Sequence, residues 1–275
     1  MVKEVEIVSV GNELLIGKTL NTNAQWLAKK ATALGLHVGR ITVIGDEVEE
    51  IANTIQEAVN RRPAFVITTG GLGPTFDDKT LEGIAKAFHS KLAVNKDALK
   101  MVKRKYAEYA AKTECKRLEL TPPRTKMAKL PAEATPLPNP EGTAPGVVLR
   151  KDDTTFFVLP GVPCEMEAIF EHSLVPVLKT AGGNQMFFET SLFVTGVMES
   201  EMAPLIDRAM HDNPMIYVKS HPMGAEKKPG LELHLSITAK DAKEARKRVG
   251  KALAQLVEMV SAKGGKIRTT GPPKL

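Results

Sequence analysis

The run Thr68-Thr69-Gly70-Gly71-Leu72-Gly73-Pro74-Thr75-Phe76-Asp77-Asp78-Lys79-Thr80 gathers three glycines, four threonines and two adjacent carboxylates into thirteen positions. Glycines lack a Cβ, so backbone N–H groups there can approach phosphate oxygens closely. A helix beginning just after such a loop adds partial positive charge. The run is neither a P-loop nor a dinucleotide fingerprint, because G-x-x-x-x-G-K-[ST] and G-x-G-x-x-G are both absent. Asp77 and Asp78 stand at the mouth, where they would repel a bound phosphate unless a cation or a protonated acid intervened. A divalent metal held by Asp77 and Asp78 resolves that conflict: Mg²⁺ or Mn²⁺ suits oxygen ligands and can activate a water. The plainer role of the same carboxylates, with Thr80 assisting, is to cap the helix.

Two further clusters belong with this loop. Gly11-Asn12-Glu13-Leu14-Leu15-Ile16-Gly17, continuing to Asn21-Thr22-Asn23, offers Glu13 to orient a base or ribose or to bind metal. Asn12 and Asn21 suit turns, and Asn23 suits either a helix cap or a ligand contact. Gly142-Thr143-Ala144-Pro145-Gly146 and Pro160-Gly161-Val162-Pro163-Cys164-Glu165-Met166 close two strands. Glu165 and Glu167 fall in the first turn of a helix, where the dipole favours acids in any case. Lys219-Ser220-His221-Pro222-Met223-Gly224 forms a separate group after a later strand, with Lys219 and His221 able to bind phosphate. His37, His89 and His234 show no metal-ligand spacing.

The elements that must position these loops follow from periodicity. Val5–Gly11 reads as a buried strand ending at a glycine. Asn23–Leu34 reads as a helix with Trp26, Leu27, Ala31 and Leu34 on one face and Gly35 closing it. His37–Ile44 is a second strand, Val48–Asn60 a helix, and Ala64–Thr69 a third strand. This β-α-β-α-β order predicts a three-layer α/β domain with a mostly parallel sheet, whose ligands lie beyond the carboxyl ends of the strands, so the loops Gly11–Asn23, Gly45–Val48 and Gly70–Thr80 are the candidates. Helices near Lys79–Phe88 and Asn95–Tyr109 lead to an irregular proline-rich stretch with short extended pieces, Thr121–Pro145. Strands at Gly146–Arg150 and Thr155–Leu159 and a helix from Glu165 to about Lys179 complete residues 1–180, with Ala181-Gly182-Gly183-Asn184 as linker. Residues 186–268 then read as strand, helix, strand, strand and long helix, a small α+β domain.

The bulk properties fit this picture. The chain has 275 residues, 43% of them hydrophobic, which suits one large or two modest domains. Cys115 and Cys164 have no nearby Cys or His at ligand spacing, so neither a disulfide framework nor a zinc module is expected. No signal peptide and no membrane span is read, which predicts a cytoplasmic protein. A formal charge of +6 suits anionic ligands, and nucleic acid is not the expected partner.

Taken together, Gly-Asn-Glu-Leu-Leu-Ile-Gly at 11–17, Gly-Gly-Leu-Gly-Pro-Thr-x-Asp-Asp-x-Thr at 70–80, Gly-x-Ala-Pro-Gly at 142–146 and Pro-Gly-Val-Pro-x-Glu-Met at 160–166 resemble the CinA family. The resemblance spans roughly Val5–Lys179 and implies the MoaB/Mog-like molybdopterin-binding fold, followed by a KH-type domain. It implies a homodimer and metal-dependent ADP-ribose pyrophosphatase activity with Mg²⁺, Mn²⁺ or Co²⁺. Asp77, Asp78 and Glu13 then form the catalytic set. Gly70, Gly71, Gly73 and Thr75 contact phosphate, and Thr80, Asn12, Asn23, Gly146 and Gly161 complete the ligand site. Asn21 stands where the family often carries Asp. The amidase domain that many bacterial members append is missing, so deamidation of nicotinamide mononucleotide is not expected. The later domain lacks the G-x-x-G that clamps a nucleic-acid backbone in KH folds. The leading expectation is hydrolysis of a nucleotide diphosphate such as ADP-ribose. Its rivals are a molybdopterin-binding protein of molybdenum-cofactor synthesis and a noncatalytic nucleotide or RNA binder.

Overall fold

The structure is a computed structural model that describes residues 2–112, 119–183, 185–223 and 230–268. Cys115, Asn184 and Gly224 lie outside the described residues. The chain divides into two compact units, the first essentially residues 1–182 and the second 183–275, which also takes in residues 33–35.

In the first unit, β1 (Glu4–Val10) leads through a short α1 (Asn12–Leu15) to α2 (Thr22–Ala33), β2 (His37–Ile44), α3 (Val48–Arg61) and β3 (Phe65–Thr69). Next come α4 (Thr80–Ala87), β4 (Leu92–Val94), α5 (Lys96–Lys112), α6 (Pro122–Lys126), β5 (Lys129–Pro131) and β6 (Thr135–Leu137). The unit ends with β7 (Gly146–Lys151), β8 (Thr154–Leu159), α7 (Pro163–Ile169), a π-helical turn (Phe170–Leu174) and α8 (Val175–Ala181). The main sheet runs β2-β1-β3-β8-β7-β6. Its first four strands are mutually parallel, and β7 and β6 pair antiparallel.

Period-two alternation on this sheet builds two buried faces. Val8, Val66, Phe156 and Val158 share one core with Ile51 and Ile55 of α3, Ile84 of α4 and Val102 of α5. Their strand neighbours Ile7, Ile67 and Phe157 point the other way and are equally buried, as are Leu27 and Ala31 of α2 and Ile169 and Phe170 near α7. Trp26 meets Phe170 edge-on with ring centroids 5.1 Å apart. One charge lies within the sheet. Glu6, 1% exposed, accepts two hydrogen bonds of 2.7 Å from the Arg61 guanidinium.

Three local expectations need correction. The proline-rich stretch 121–145 has the short extended pieces expected of it, β5 and β6, but it also holds a helix, since Pro122 supplies the preset φ that starts α6. The helix expected from Glu165 to Lys179 is continuous in path, but its middle turn is π-helical, immediately ahead of Pro176, which has no N–H to donate. The cap of α2 is Asn21 instead of Asn23: the Asn21 Oδ1 accepts the Ala24 N–H at 3.2 Å.

The second unit holds β9 (Met186–Thr195), α9 (Glu199–Asp212), β10 (Tyr217–Met223), β11 (Gly230–Ala239), α10 (Ala242–Ala262) and β12 (Lys266–Arg268). Its sheet is antiparallel in the order β10-β11-β9-β12. Met202 and Ile206 of α9 and Val249 and Leu256 of α10 pack with Leu192, Leu233 and Leu235 in a core of its own. Strand β10 starts only at Tyr217, because Met215, with a φ of 80°, cannot sit in a ladder. Among the described residues, no helix is long and apolar enough to cross a membrane.

Candidate functional site

The parallel strands β1, β3 and β8 end side by side, and their following loops line one cavity of about 430 Å³. That volume falls within the range of small-molecule sites, roughly 300–1,000 Å³. The floor is tied together by short bonds. Gly70 N–H donates to Leu159 O at 3.0 Å, and the Thr69 hydroxyl donates to Pro160 O at 2.9 Å. The Asn23 amide donates to both Thr69 Oγ1 and Gly161 O, and its Oδ1 has no partner among the described residues. Asn23 is thus a clasp between three loops.

Close approach explains the glycines. A Cβ on Gly70 would lie 2.1 Å from Val10 O, and Gly70 and Gly71 have φ values of 107° and 68°. Thr80 is fully buried and donates its hydroxyl to Gly70 O at 2.8 Å, so its role is to brace the loop. Among the described residues, the N–H groups of Gly71, Leu72 and Gly73 have no protein acceptor. Three consecutive donors on the cavity lining are therefore uncommitted among the described residues.

The carboxylates do not cap α4. Asp78 Oδ2 accepts the Thr75 N–H at 2.8 Å, and Thr75 Oγ1 lies 2.5 Å from both Asp77 Oδ1 and Asp78 Oδ2. The Thr75 hydroxyl, helped by the Asp77 backbone N–H and by Lys126 and Lys79, holds the Asp77 carboxyl below its ordinary range. Lys126 also donates to Thr75 O. Asp46 behaves oppositely: burial raises its pKa most, the Asn12 N–H opposes that, and Glu13, Asp77 and Asp78 add repulsion. Among the described residues, no three His, Cys, Asp or Glu side chains are grouped to hold a metal ion.

Of the residues expected from sequence, Glu13, Asn23, Gly70, Gly71, Gly73, Asp77, Asp78 and Gly161 line the cavity. Asn12, Thr75, Thr80 and Gly146 do not line it. Gly146 starts β7 beneath Ile169, and Asn12 donates its N–H to Asp46. Sequence reasoning pointed to the Gly45–Val48 loop without singling out Asp46, which lines the cavity, and it left Glu165 undecided. It also missed Asn139, buried at 5% exposure, whose Nδ2 donates to Glu165 Oε2 at 2.7 Å and to Ala144 O at 2.8 Å. Lys219 and His221 lie on β10 of the second unit, with the His221 ring 6.4 Å from that of His234.

Residues 6–180 match the family described as probable molybdopterin binding domain. A protein of Pyrobaculum aerophilum is 47% identical over 260 residues, covering 94% of this chain and 95% of its own. One from Aeropyrum pernix is 45% identical over 262 residues, 95% of each chain. The crystal structure of the protein CinA with unknown function from Thermoplasma acidophilum is 40% identical, with a TM-score of 0.57, and covers 64% of this chain and 99% of its own. With more than half its length matched, the chain belongs to the probable molybdopterin-binding domain family.

Proposed function

We propose that the first unit binds a pterin phosphate of the molybdopterin class and that the chain is a member of the CinA group within its family. The observation that carries this is the row of uncommitted N–H groups at Gly71, Leu72 and Gly73, on a loop whose φ values only glycine holds easily. Such a row is an anion cradle. Lys126 and Lys79, which act on Asp77, supply positive charge beside it. The experiment is fluorescence titration of the purified protein with molybdopterin, with inorganic pyrophosphate as competitor. Saturable binding displaced by pyrophosphate supports the reading, and no binding of either refutes it.

A second reading, hydrolysis at a nucleotide diphosphate, is favoured by one observation: Glu13, Asp46, Asp77 and Asp78 all border the same cavity. Release of AMP from ADP-ribose with added Mg²⁺, Mn²⁺ or Co²⁺, lost in Asp78→Asn, would establish it. No release with any of these ions leaves binding as the function.

A further inference from the structure

We infer that Glu165, held in place by Asn139, reads the 2-amino-4-oxopyrimidine edge of the ligand's ring and so makes the cavity selective for a pterin over an adenine. This rests on the pterin-phosphate reading above and names the part of the site that recognises the heterocycle.

Three observations converge on Glu165. It lines the same cavity as the glycine loop. Asn139 uses all of its side-chain capacity here: its Oδ1 accepts the N–H groups of Glu141 and Gly142 at 3.0 and 2.8 Å, and its Nδ2 serves Ala144 O and Glu165 Oε2. A buried asparagine so saturated is a rigid mount, and one of its four bonds goes to this carboxylate. Finally, a Cβ on Gly142 would fall within 2.4 Å of all three carboxyl atoms of Glu165, so the loop is shaped around that group. Glu165 is the acid in the first turn of α7, whereas Glu167, expected in that turn as well, falls beyond it and receives no bond from Asn139.

The chemistry follows from what remains free. A carboxylate only accepts hydrogen bonds, and Glu165 Oε1 has no partner among the described residues, while Oε2 keeps one lone pair. A pterin or guanine presents two parallel donors, the ring N–H (N3–H in a pterin, N1–H in guanine) and the 2-amino group, which match a carboxylate bidentately. Adenine presents a donor beside an acceptor, so one carboxylate oxygen would face a lone pair. Met127, Ala144, Val162 and Pro163 border the same cavity and give a flat ring apolar contact. The ring would lie there with its phosphates toward Gly71–Gly73.

The test compares calorimetric titrations of neopterin triphosphate, GTP, ATP and inorganic pyrophosphate on the full chain and on Glu165→Gln. Gln keeps the size and an acceptor for Asn139 but replaces one oxygen by a donor. Wild type should bind neopterin triphosphate more tightly than GTP and at least about tenfold more tightly than ATP. Glu165→Gln should lose at least about tenfold for neopterin triphosphate and GTP and less than twofold for ATP. Asn139→Ser, a positioning change, should erode the same selectivity while pyrophosphate affinity holds. Wild type that binds pyrophosphate and neopterin triphosphate, with Glu165→Gln unchanged or weakened equally for all three nucleotide-like ligands, overturns the role of Glu165 alone. Tighter GTP binding than pterin binding assigns the edge to a guanine nucleotide and overturns the pterin choice. Wild type that binds none of the four probes overturns the underlying reading as well.

Discussion

At the residue scale, the question posed by this cavity is how a phosphate tolerates four nearby acids. Asp46 bears on it, because burial most of all, and the repulsion of Glu13, Asp77 and Asp78, raise the pKa of its carboxyl. Ionising it costs the folded state, so its contribution to stability diminishes as pH rises through its raised pKa. Affinity for sulfate, an anion that does not itself titrate there, should fall over the same interval, and Asp46→Asn should flatten the curve. At neutral pH without metal, Asp46→Asn should tighten sulfate binding roughly 2- to 5-fold, the size expected for one partly screened unit charge. Weaker binding, restored only in a metal-dependent wild type, would mean that a cation bridges ligand and acid. Gly70→Ala is a second prediction at this scale. The positive φ and the clash with Val10 O should cost at least about 2 kcal/mol in urea unfolding, with loss of pyrophosphate binding. The glycines and acids of residues 70–78 were legible from residue type and spacing alone. The loop of Asp46 was legible from strand order, though not the residue within it, and Asn139 was not legible, since it is far from the loop in sequence and joins the site only through a buried turn.

At the scale of elements, α2 shows how one residue fixes a helix and a site together. Asn21 takes the Ala24 N–H and also the hydroxyl of Ser9, which is fully buried on β1. With the cap at Asn21, Asn23 sits on the first turn and turns its amide toward Thr69 and Gly161. Asn21→Ala should therefore cost about 1–2 kcal/mol, a cap plus an orphaned hydroxyl, and should also weaken ligand binding through Asn23. Thermal unfolding read by circular dichroism checks the first part and pyrophosphate titration the second. The periodic elements from β1 to α4 could be read from sequence because their apolar residues keep a strict period. What escaped was local. Two asparagines two positions apart compete for the cap, and propensity does not choose between them, whereas the bond to Ser9 does. The π-helical turn escaped for a similar reason, since its residues suit an α-helix individually.

At the scale of the whole molecule, each unit buries its own core, so each should fold alone. Residues 1–182 expressed by themselves should give a cooperative unfolding transition and keep pyrophosphate affinity within about twofold of the full chain, since every cavity residue lies within them. Within that unit the Glu6–Arg61 pair is the most exacting electrostatic feature. Arg61→Met would leave Glu6 charged and unpaired beneath the sheet, at a cost of about 2–4 kcal/mol, toward the low end because Arg61 is 30% exposed. Urea unfolding of residues 1–182 measures it, and a change under 1 kcal/mol would mean that Glu6 finds water. The α/β alternation made this two-unit layout readable from sequence. The sign of each loop's charge did not reveal what those loops bind.

Asn139 is followed by Pro140, and that pairing bears on how the protein ages. Asparagine side chains convert slowly to aspartate when the next residue's backbone nitrogen attacks the amide carbon, and a proline nitrogen, already fully substituted, cannot close that ring. Conversion at Asn139 would set a new negative charge against the Glu165 carboxylate it now holds at 2.7 Å. The sequence thus protects, by a covalent feature, an amide whose loss would turn a support of Glu165 into a repulsion, and the mount of Glu165 should outlast long incubation in warm solution.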